Sequence, residues 1–375
     1  MLIASVIIPV FNGAATLERT IQSFLGQNVE TASWFEIVLC DDGSTDASGE
    51  ILARYADHPR VTVIYQENQG QSAASNQAAR QAKGDLLIFS AQDIVPQDAD
   101  FICNHLRWHA GNNVEKCVNG YIRYPKELLI NDFMVFMQDS HQQFDYRNIP
   151  DLSNIDPMKL YAPNFSVKKS WFEKVGGFDP QFPYGFQDTD LGIRLSLAGL
   201  TLFLVDNINC WHYHPIKLQE YAAKKRAFGR MFWNLFFKQR HFFENICRPR
   251  TSLPRLLQLA LHYASKRELI HRIGMEIVHC EDNDIEPLYE LYDEFSKQIL
   301  SLPPLRNDMP KSKKYWCMYL FYSAYLTFYY NQGLSERAME IGLLKEGLVN
   351  VDHIPLPVIP KSDSRDEAGN SLMNL

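Results

Sequence analysis

The sequence lacks the cysteine spacing of a disulfide-stabilised or zinc-binding protein. Its seven cysteines are odd in number, scattered over 375 residues and never arranged as CxxC pairs. Disulfide frameworks and zinc sites need closely placed pairs of thiols, so these cysteines indicate reduced thiols. We therefore expect a cytoplasmic protein.

Positive charge and two phosphate-binding motifs are also missing. The net charge is −7 at pH 7, whereas non-specific nucleic-acid binding needs a broad basic surface, so we expect no nucleic-acid partner. No GxGxxG follows the first predicted strand and no GxxxxGK[ST] occurs in the sequence. The sequence therefore supports neither a dinucleotide-dependent dehydrogenase nor a P-loop kinase.

Apolar runs of membrane-spanning length are not found. The N-terminal MLIASVIIPVFN lacks the basic start and the small-residue cleavage site of a signal peptide, so it predicts a first strand. The longest uncharged stretch, 315–335, carries several tyrosines together with Asn331, Gln332 and Gly333. Its apolar part is too short for a bilayer, and we predict a buried helix.

The sequence does contain an alternation of short β-rich runs and helical segments over its first 90 residues. This pattern is typical of βαβ units and predicts an α/β fold with a mostly parallel, Rossmann-like sheet flanked by helices. The predicted strands are 3–10, 36–41, 61–65 and 86–90, and the predicted helices are 15–27, 46–56 and 71–83.

The later part of the chain changes character twice. Residues 124–160 are polar and without clear period, which predicts a long loop, and beyond Leu218 the pattern is helical. The predicted divisions are an α/β domain at 1–216, a basic aromatic helical segment at 217–250, a helical C-terminal domain at 251–354 and a disordered tail at 355–375.

Side chains suited to a nucleotide follow three of the predicted strands. Pro9, Phe11 and Asn12 end the first strand, Asp42 ends the second, and Asp93 follows the fourth. Ligands of open parallel sheets bind at these carboxyl ends, where a carboxylate can accept a base imide N–H and an aromatic ring can cover the base. The alternative is that the run after the second strand, DDGSTD, is only a turn and a helix cap.

Four motifs, in order, resemble family-2 glycosyltransferases of the A-type fold. They are SVIIPVFNGAATLERTIQSFLGQ, FEIVLCDDGSTDASGEIL, ENQGQSAASNQAARQAKGDLLIF and VGGFDPQFPYGFQDTDLGIRLSLAG. The resemblance implies an inverting transferase that uses a nucleoside-diphosphate sugar and a divalent metal, Mn²⁺ or Mg²⁺. It assigns Asp188 as the catalytic base and Asp93 as a metal ligand. The nucleotide-sugar site that it implies comprises Pro9, Phe11, Asn12, Asp42, Asn68, Gly70, Asn76, Gln92 and Asp93.

Three positions depart from the family pattern. Ala91 stands where the first acid of the metal-binding DxD motif is usual, Gln187 replaces the glutamate before the base, and Ser75 replaces an arginine. A single carboxylate gives a metal few protein ligands, so metal binding by this motif alone is weakened. A similar xQD version occurs in sequences that resemble rhamnosyltransferases, which favours a UDP- or dTDP-sugar as the donor.

Two histidines follow a predicted strand at 202–205. His212 and His214 would share one face of an extended segment, and the family resemblance implies a metal-binding histidine here, so we predict that one or both lie beside Asp93. The alternative is that they only form hydrogen bonds within the core.

Asp188 begins a predicted helix at 188–199. The helix dipole favours its ionised form, which suits a base that accepts a proton from an acceptor hydroxyl. The alternative is a helix cap without chemistry, a role that fits Asp190 better.

The segment 217–250 combines nine Lys or Arg with many aromatic residues. This composition is typical of a helix at an anionic membrane surface, which would suit a lipid-linked acceptor at the inner face of the membrane. The aromatics do not form one stripe, however, so they can instead pack against the rest of the protein.

The functional hypothesis is an inverting glycosyltransferase acting on a glycan or lipid-linked acceptor in surface polysaccharide biosynthesis. The alternative, suggested by Ala91 and Gln187, is a catalytically silent module that binds a nucleotide-sugar or a glycan.

Overall fold

The structure, a computed structural model, describes residues 3–28, 34–110, 115–129, 131–147, 149–183, 185–245 and 313–341. The chain forms two compact units. The first comprises Met1–Leu129 and His141–Pro215, and the second comprises Ile130–Ser140 and Ile216–Leu375. The predicted tail at 355–375 and most of the predicted domain at 251–354 lie outside the described residues.

The first unit is built on one eight-stranded sheet. Its strands are β1 Ile3–Val10, β2 Trp34–Asp41, β3 Val61–Tyr65, β4 Leu86–Phe89, β5 Ile94–Pro96, β6 Lys116–Arg123, β7 Phe165–Lys168 and β8 Thr201–His212. Their order across the sheet is β3-β2-β1-β4-β7-β6-β8-β5. Most of the residues in β1, β2 and β4 are buried on both faces, as expected for central parallel strands.

Six of the eight strands point in one direction. β1 is parallel to β2 and β4, β2 is parallel to β3, and β6 is parallel to β8. β4 and β6 are both antiparallel to β7, so they run the same way, and β5 is antiparallel to β8. The carboxyl ends of β1, β2, β3, β4, β6 and β8 therefore meet at one edge of the sheet, together with the first residues of β5 and β7.

The helices within the described residues are α1 Leu17–Leu25, α2 Ser48–Ala53, α3 Gln71–Gln81, α4 Phe101–His109, α5 Asp132–Ser140, α6 Lys169–Lys174, α7 Gln187–Leu197, α8 Leu218–Lys238, α9 Arg240–Asn245 and α10 Lys313–Glu340. Short 3₁₀ turns lie at Lys126–Leu128, Pro157–Lys159 and Ala162–Asn164.

Helices cover both faces of the sheet. Leu17, Ile21 and Phe24, spaced at i, i+4 and i+7 on α1, pack with one face of β1 and β2. On the other face the small side chains of Ala74 and Ala78 bring α3 against the strands. Leu191 and Leu195 of α7 belong to the same apolar layer. The sheet thus has an apolar layer on each face, and the carboxyl ends of its parallel strands lie at one edge.

The second unit is helical in its described part. α8 and α10 pack so closely that a Cβ on Gly229 would lie 1.8 Å from Tyr330 O, and one on Gly333 would lie 1.9 Å from Arg226 O. Arg230 Nη2 donates to Glu340 Oε1 at 2.6 Å, and the Trp233 indole donates to Leu334 O at 2.7 Å. Only glycine permits such an approach of two helix backbones.

Several sequence predictions are confirmed. The four N-terminal strands and the three helices between them are present. Stretch 315–335 lies within α10. Among the described helices, none has the length and apolarity that a membrane crossing requires.

Two predictions are wrong in detail. The predicted loop at 124–160 contains α5, whose Phe133, Met134, Phe136 and Met137 are buried among the helices of the second unit. The helical spacing of its apolar residues is masked in the sequence by the polar residues on either side. The predicted helical segment at 217–250 is not one helix in its described part: α8 ends at Lys238, and α9 follows it at Arg240–Asn245.

Candidate active site

Asp93 and two histidines form a compact group at the strand-end edge. Antiparallel pairing of β5 with β8 places Ile94 opposite His212, so Asp93 lies beside the end of β8. Asp93 Oδ2 is 3.3 Å from His212 Nε2 and 3.4 Å from His214 Nδ1. The two imidazole rings are nearly parallel, at 12°. The register of two strands thus explains why residues 119 and 121 positions apart in sequence meet.

The three side chains fit a divalent cation. Their ligand atoms all lie within 4.8 Å of one another, and the 3.3 and 3.4 Å distances from Asp93 match the spacing of neighbouring ligands around an octahedral ion, which is about 3 Å for bonds of about 2.1 Å. His212 Nδ1 is buried and has no hydrogen-bond partner in the described part of the chain. Ala91 contributes no ligand atom.

The two neighbouring histidines stabilise the negative charge of Asp93. Burial alone would raise the pKa of this carboxyl, but the facing imidazoles of His212 and His214 bring that pKa well below its usual range. The carboxylate therefore stays ionised, which is the form that binds a cation.

Asp42 lies at the end of β2 and is almost fully buried. Its Oδ1 accepts hydrogen bonds from Gln66 Nε2 at 2.7 Å and from the Gln69 N–H at 2.9 Å, and its Oδ2 accepts one from the Gly70 N–H at 2.8 Å. The carboxylate thus fixes the loop that enters α3. Gly70 has φ 89°, a conformation that favours glycine.

Phe11 and Asn12 occupy the end of β1. Phe11 is 45% exposed, and its backbone N–H and C=O both bond to the Gln92 carboxamide, at 2.8 and 3.0 Å. Asn12 has φ 49°, and its Oδ1 accepts from the Thr45 N–H at 2.8 Å. Gln92 and Asn12 therefore hold loops in place, while the Phe11 ring is presented to solvent. Pro9 is buried within β1.

Asn68 and Asn76 have different environments. Asn68 is exposed beside the loop held by Asp42. Asn76 uses both ends of its amide on the backbone of Phe178, donating to its C=O at 2.7 Å and accepting from its N–H at 2.9 Å. The Asn76 side chain therefore locks α3 to the turn after α6.

Asp188 lies in the first turn of α7. Its Oδ2 accepts from the Ala162 N–H at 3.2 Å and its Oδ1 from the Thr189 N–H at 2.9 Å. The residue before the helix, Phe186, has a left-handed backbone with φ 61°, an unusual conformation for an aromatic residue that is found most often at functional sites.

A continuous ring of contacts joins the three acids. From Asp42 it passes through the Gly70 N–H to Gln71, whose Oε1 accepts from Gln187 Nε2 at 3.2 Å, directly before Asp188. Asp188 then contacts Ala162.

The ring continues through aromatic side chains. Tyr161 meets Phe144 edge to face at 5.4 Å between centroids, and Phe144 meets His212 in the same way at 5.6 Å. His212 leads to Asp93.

Hydrogen bonds of Gln92 and Asn12 close the ring of contacts at the loop that begins at Asp42. Gln92 bonds to Phe11, and Asn12 bonds to Thr45 and, through its N–H, to Ser44 Oγ at 2.9 Å, in the loop that begins at Asp42. The structure thus brings the predicted nucleotide, metal and base residues onto one edge of the sheet. The Asn76 amide is bound to the Phe178 backbone.

Two features of this edge were not foreseen from the sequence. Gln66 is bound to Asp42, and Tyr213 is held between Arg19 and Glu127. Tyr213 could have been found from its place between two histidines. Nothing in the local sequence marks Gln66 or Arg19, because their partners lie on other elements.

The mixed sheet and its flanking helices form the A-type fold of glycosyltransferases. A solved mannosyltransferase from Pyrobaculum calidifontis, in complex with GDP-Man and Mn²⁺, superposes with a TM-score of 0.54 at 18% identity, covering 89% of this chain and 87% of that one. Residues 5–169 match the model of Glycosyl transferase family 2, and over this range the chain is similar to that family.

The curated relatives that the chain resembles include named glycosyltransferases. Validoxylamine A glucosyltransferase of Streptomyces hygroscopicus subsp. jinggangensis is 32% identical over 224 residues, which is 53% of this chain and 52% of that protein. The glycosyltransferase YfnE of Bacillus subtilis is 25% identical over 364 residues, covering 83% and 92%. The chondroitin synthase of Pasteurella multocida is 34% identical over 239 residues, covering 56% and 25%. The match to the first of these relatives thus spans about half of its length.

Proposed function

We propose that this chain transfers a hexosyl or deoxyhexosyl group, with inversion, from a nucleoside-diphosphate sugar to a hydroxyl of a glycan or lipid-linked acceptor. One observation carries the proposal: the group Asp93, His212 and His214 lies on the same ring of contacts as Asp42 and Asp188. A metal-suited group, a carboxylate at a nucleotide position and a candidate base are what such a transfer requires at one place.

The bonds of Asp42 favour a uracil or thymine base. A carboxylate has about four acceptor positions, two on each oxygen. Gln66 and Gln69 occupy both positions on Oδ1, and Gly70 occupies one on Oδ2. A single further donor can be accepted, which suits the one imide N–H of uracil or thymine. Guanine would present two adjacent donors and would need a free position on each oxygen.

The metal group favours Mn²⁺ over Mg²⁺. Two imidazoles and one carboxylate suit a transition-metal ion better than Mg²⁺, which prefers oxygen ligands. An ion bound by Asp93, His212 and His214 would offset the negative charge that develops on the leaving diphosphate. Gln92, which precedes Asp93, keeps the Phe11 backbone in place beside this group.

Asp188 is suited to accept the proton of the attacking hydroxyl. Its position in the first turn of α7 and the N–H groups of Ala162 and Thr189 stabilise the carboxylate. Direct attack on the anomeric carbon from the face opposite the diphosphate inverts its configuration, and a single base is sufficient for this displacement.

The proposal includes an acceptor-binding part of the chain and a cellular location. We assign catalysis to residues 1–216 and acceptor selection to the helical part that follows, with a role in surface polysaccharide synthesis in the cytoplasm. In α8, Arg226 and Arg230 form ion pairs with Glu336, and Phe232, Trp233 and Phe236 are buried. These contacts support packing as the role of this segment more than contact with an anionic membrane.

Release of nucleoside diphosphate from a donor panel tests the proposal. The panel is UDP-glucose, UDP-N-acetylglucosamine, dTDP-rhamnose and GDP-mannose, each with Mn²⁺, with Mg²⁺ and with EDTA. We expect metal-dependent release from a uridine or thymidine donor and a 10²- to 10⁴-fold lower rate in Asp188→Asn. Asp57→Asn, an exposed acid outside the ring, is the matched control.

The competing function is a silent binding module, for which Ala91 and Gln187 are the motivation. Donor binding without metal-dependent release on the whole panel, with Asp188→Asn indistinguishable from wild type, would establish that function instead.

A further inference from the structure

Tyr213 separates the two metal-suited histidines. β8 ends at His212, and the Tyr213 N–H donates to Asp93 O at 2.7 Å, one bond beyond the last β5–β8 pair. Successive side chains of an extended segment face opposite sides. His212 and His214 therefore share the side of Asp93, and Tyr213 projects away from it.

Two side chains from other elements contact Tyr213, one at its ring and one at its hydroxyl. The Arg19 guanidinium of α1 lies 4.2 Å from the ring centroid, a cation–π contact. The Tyr213 hydroxyl donates to Glu127 Oε1 at 2.8 Å, in the 3₁₀ turn after β6. The pKa of Glu127 is lowered by hydrogen bonding and by the charge of Arg19, so the acceptor is a carboxylate and the bond is charge-assisted.

The two histidines differ in how they are held. His212 is buried within β8, whereas the His214 side chain is 56% exposed and lies past the end of the strand. Pro215 follows His214 and restricts its backbone to an extended conformation. The backbone of Tyr213 is then what sets the distance from His214 to Asp93.

We propose that Arg19, Tyr213 and Glu127 form a positioning clamp that keeps His214 in place as a metal ligand. The inference rests on the proposed metal-assisted transfer and assigns it a support that is not itself a ligand. Groups that orient metal ligands typically change metal affinity by 10- to 100-fold when they are removed. None of the three clamp residues needs to contact the ion or the sugar nucleotide.

Titration of the full-length chain with Mn²⁺ alone, followed by electron paramagnetic resonance of the free ion, tests the clamp. Tyr213→Phe keeps the ring over Arg19 but removes the bond to Glu127. We expect a roughly tenfold higher dissociation constant for Mn²⁺. Arg19→Met removes the cation and keeps an aliphatic side chain, and we expect the same direction of change.

Matched controls exist at Glu18, which lies on α1 next to Arg19. Tyr55→Phe removes a tyrosine hydroxyl that lies 3.5 Å from Glu18, and Arg54→Met removes a guanidinium bound to the same carboxylate. Neither should change the Mn²⁺ dissociation constant. Thermal unfolding without metal shows whether each variant folds.

A double-mutant cycle separates positioning from a general effect on the fold. His214→Ala removes the ligand that the clamp positions, so adding Tyr213→Phe to it should have no further effect on Mn²⁺ binding. An equal loss in both backgrounds, no loss in Tyr213→Phe, or no Mn²⁺ binding by the wild type would overturn the clamp. If the cycle holds but no donor releases nucleoside diphosphate, the clamp is supported and the transfer reaction is wrong.

Discussion

Gln92 and Phe11 are joined by two hydrogen bonds, although 81 positions separate them in sequence: the Gln92 Oε1 accepts from the Phe11 N–H at 2.8 Å and the Gln92 Nε2 donates to the Phe11 C=O at 3.0 Å. The middle residue of the altered metal motif thus acts on the neighbouring strand end. Gln92, the residue before Asp93, is thereby linked to Phe11, the aromatic residue predicted to cover the base.

Replacing Gln92 with leucine should loosen this strand end. We expect UDP to bind up to about 30-fold more weakly, measured by isothermal titration calorimetry, because each of the two lost hydrogen bonds is worth about 1 kcal/mol. Gln97→Leu is the control, since its amide also bonds to a backbone carbonyl, that of Cys210, at 3.4 Å. Equal losses in the two variants would contradict the link between Gln92 and Phe11.

Base selectivity should depend on Gln66. Its Nε2 occupies one acceptor position on Asp42 Oδ1, so Gln66→Leu should free that position for a second donor. We expect the preference for UDP over GDP to fall by about tenfold, which is about 1.4 kcal/mol. The two dissociation constants of each protein provide an internal reference. A proportional weakening of both nucleotides would show that Gln66 only supports the fold.

Acid should destabilise the first unit through two buried histidines. Burial lowers the pKa of His105 to about 3 and, aided by the charges of Lys116 and Lys168, that of His109 to about 4. Their ordinary pKa is 6.5, so between these values the unfolded chain binds more protons than the folded one. This contribution to stability is complete above about pH 6.5 and is lost as the pH falls towards 3.

His105→Asn removes one of these titrating groups and can still bond to Ser166, which lies 2.8 Å from His105 Nδ1. We expect the free energy of unfolding, from urea titrations at several pH values, to fall less steeply between pH 6 and 4 than in wild type. An unchanged slope would show that His105 does not control this acid sensitivity.

Because α8 and α10 pack closely, any side chain at Gly333 should lower the stability of the protein. Gly333→Ala would bring a Cβ within 1.9 Å of Arg226 O, and we expect a loss of about 2 to 3 kcal/mol of unfolding free energy in urea. At Gly49 in α2 an added Cβ meets nothing within 4 Å. Gly49→Ala should therefore be neutral or stabilising, by up to about 1 kcal/mol. A small effect at both positions would contradict the tight crossing.

The sequence was sufficient where structure depends on local pattern. β1 to β4 are marked by continuous apolar runs, and α1 by apolar residues at helical spacing. The meeting of Asp93 with two histidines could be anticipated because strand ends share an edge. The length of β8, predicted at 202–205 and found at Thr201–His212, could not, because its second half is stabilised by pairing with β5 and β6.

Other roles depend on long-range contacts that no sequence pattern records. Asn12 and Asn76 were predicted beside the nucleotide, yet their amides bond to Thr45 and to Phe178. An asparagine can recognise a ligand or fix a backbone with the same atoms, and only the folded chain shows which partners it has. For Asp42 the partners limit how many further donors the carboxylate can accept.

The common direction of six strands has an evolutionary consequence. The loops that carry Phe11, Asp42 and Asp93 lie at one edge of the sheet, so changes in their length or composition leave the pairing of the strands intact. Substitutions in these loops can therefore alter the strand-end edge while the sheet is kept. The order of the strands is kept while the side chains at their carboxyl ends change.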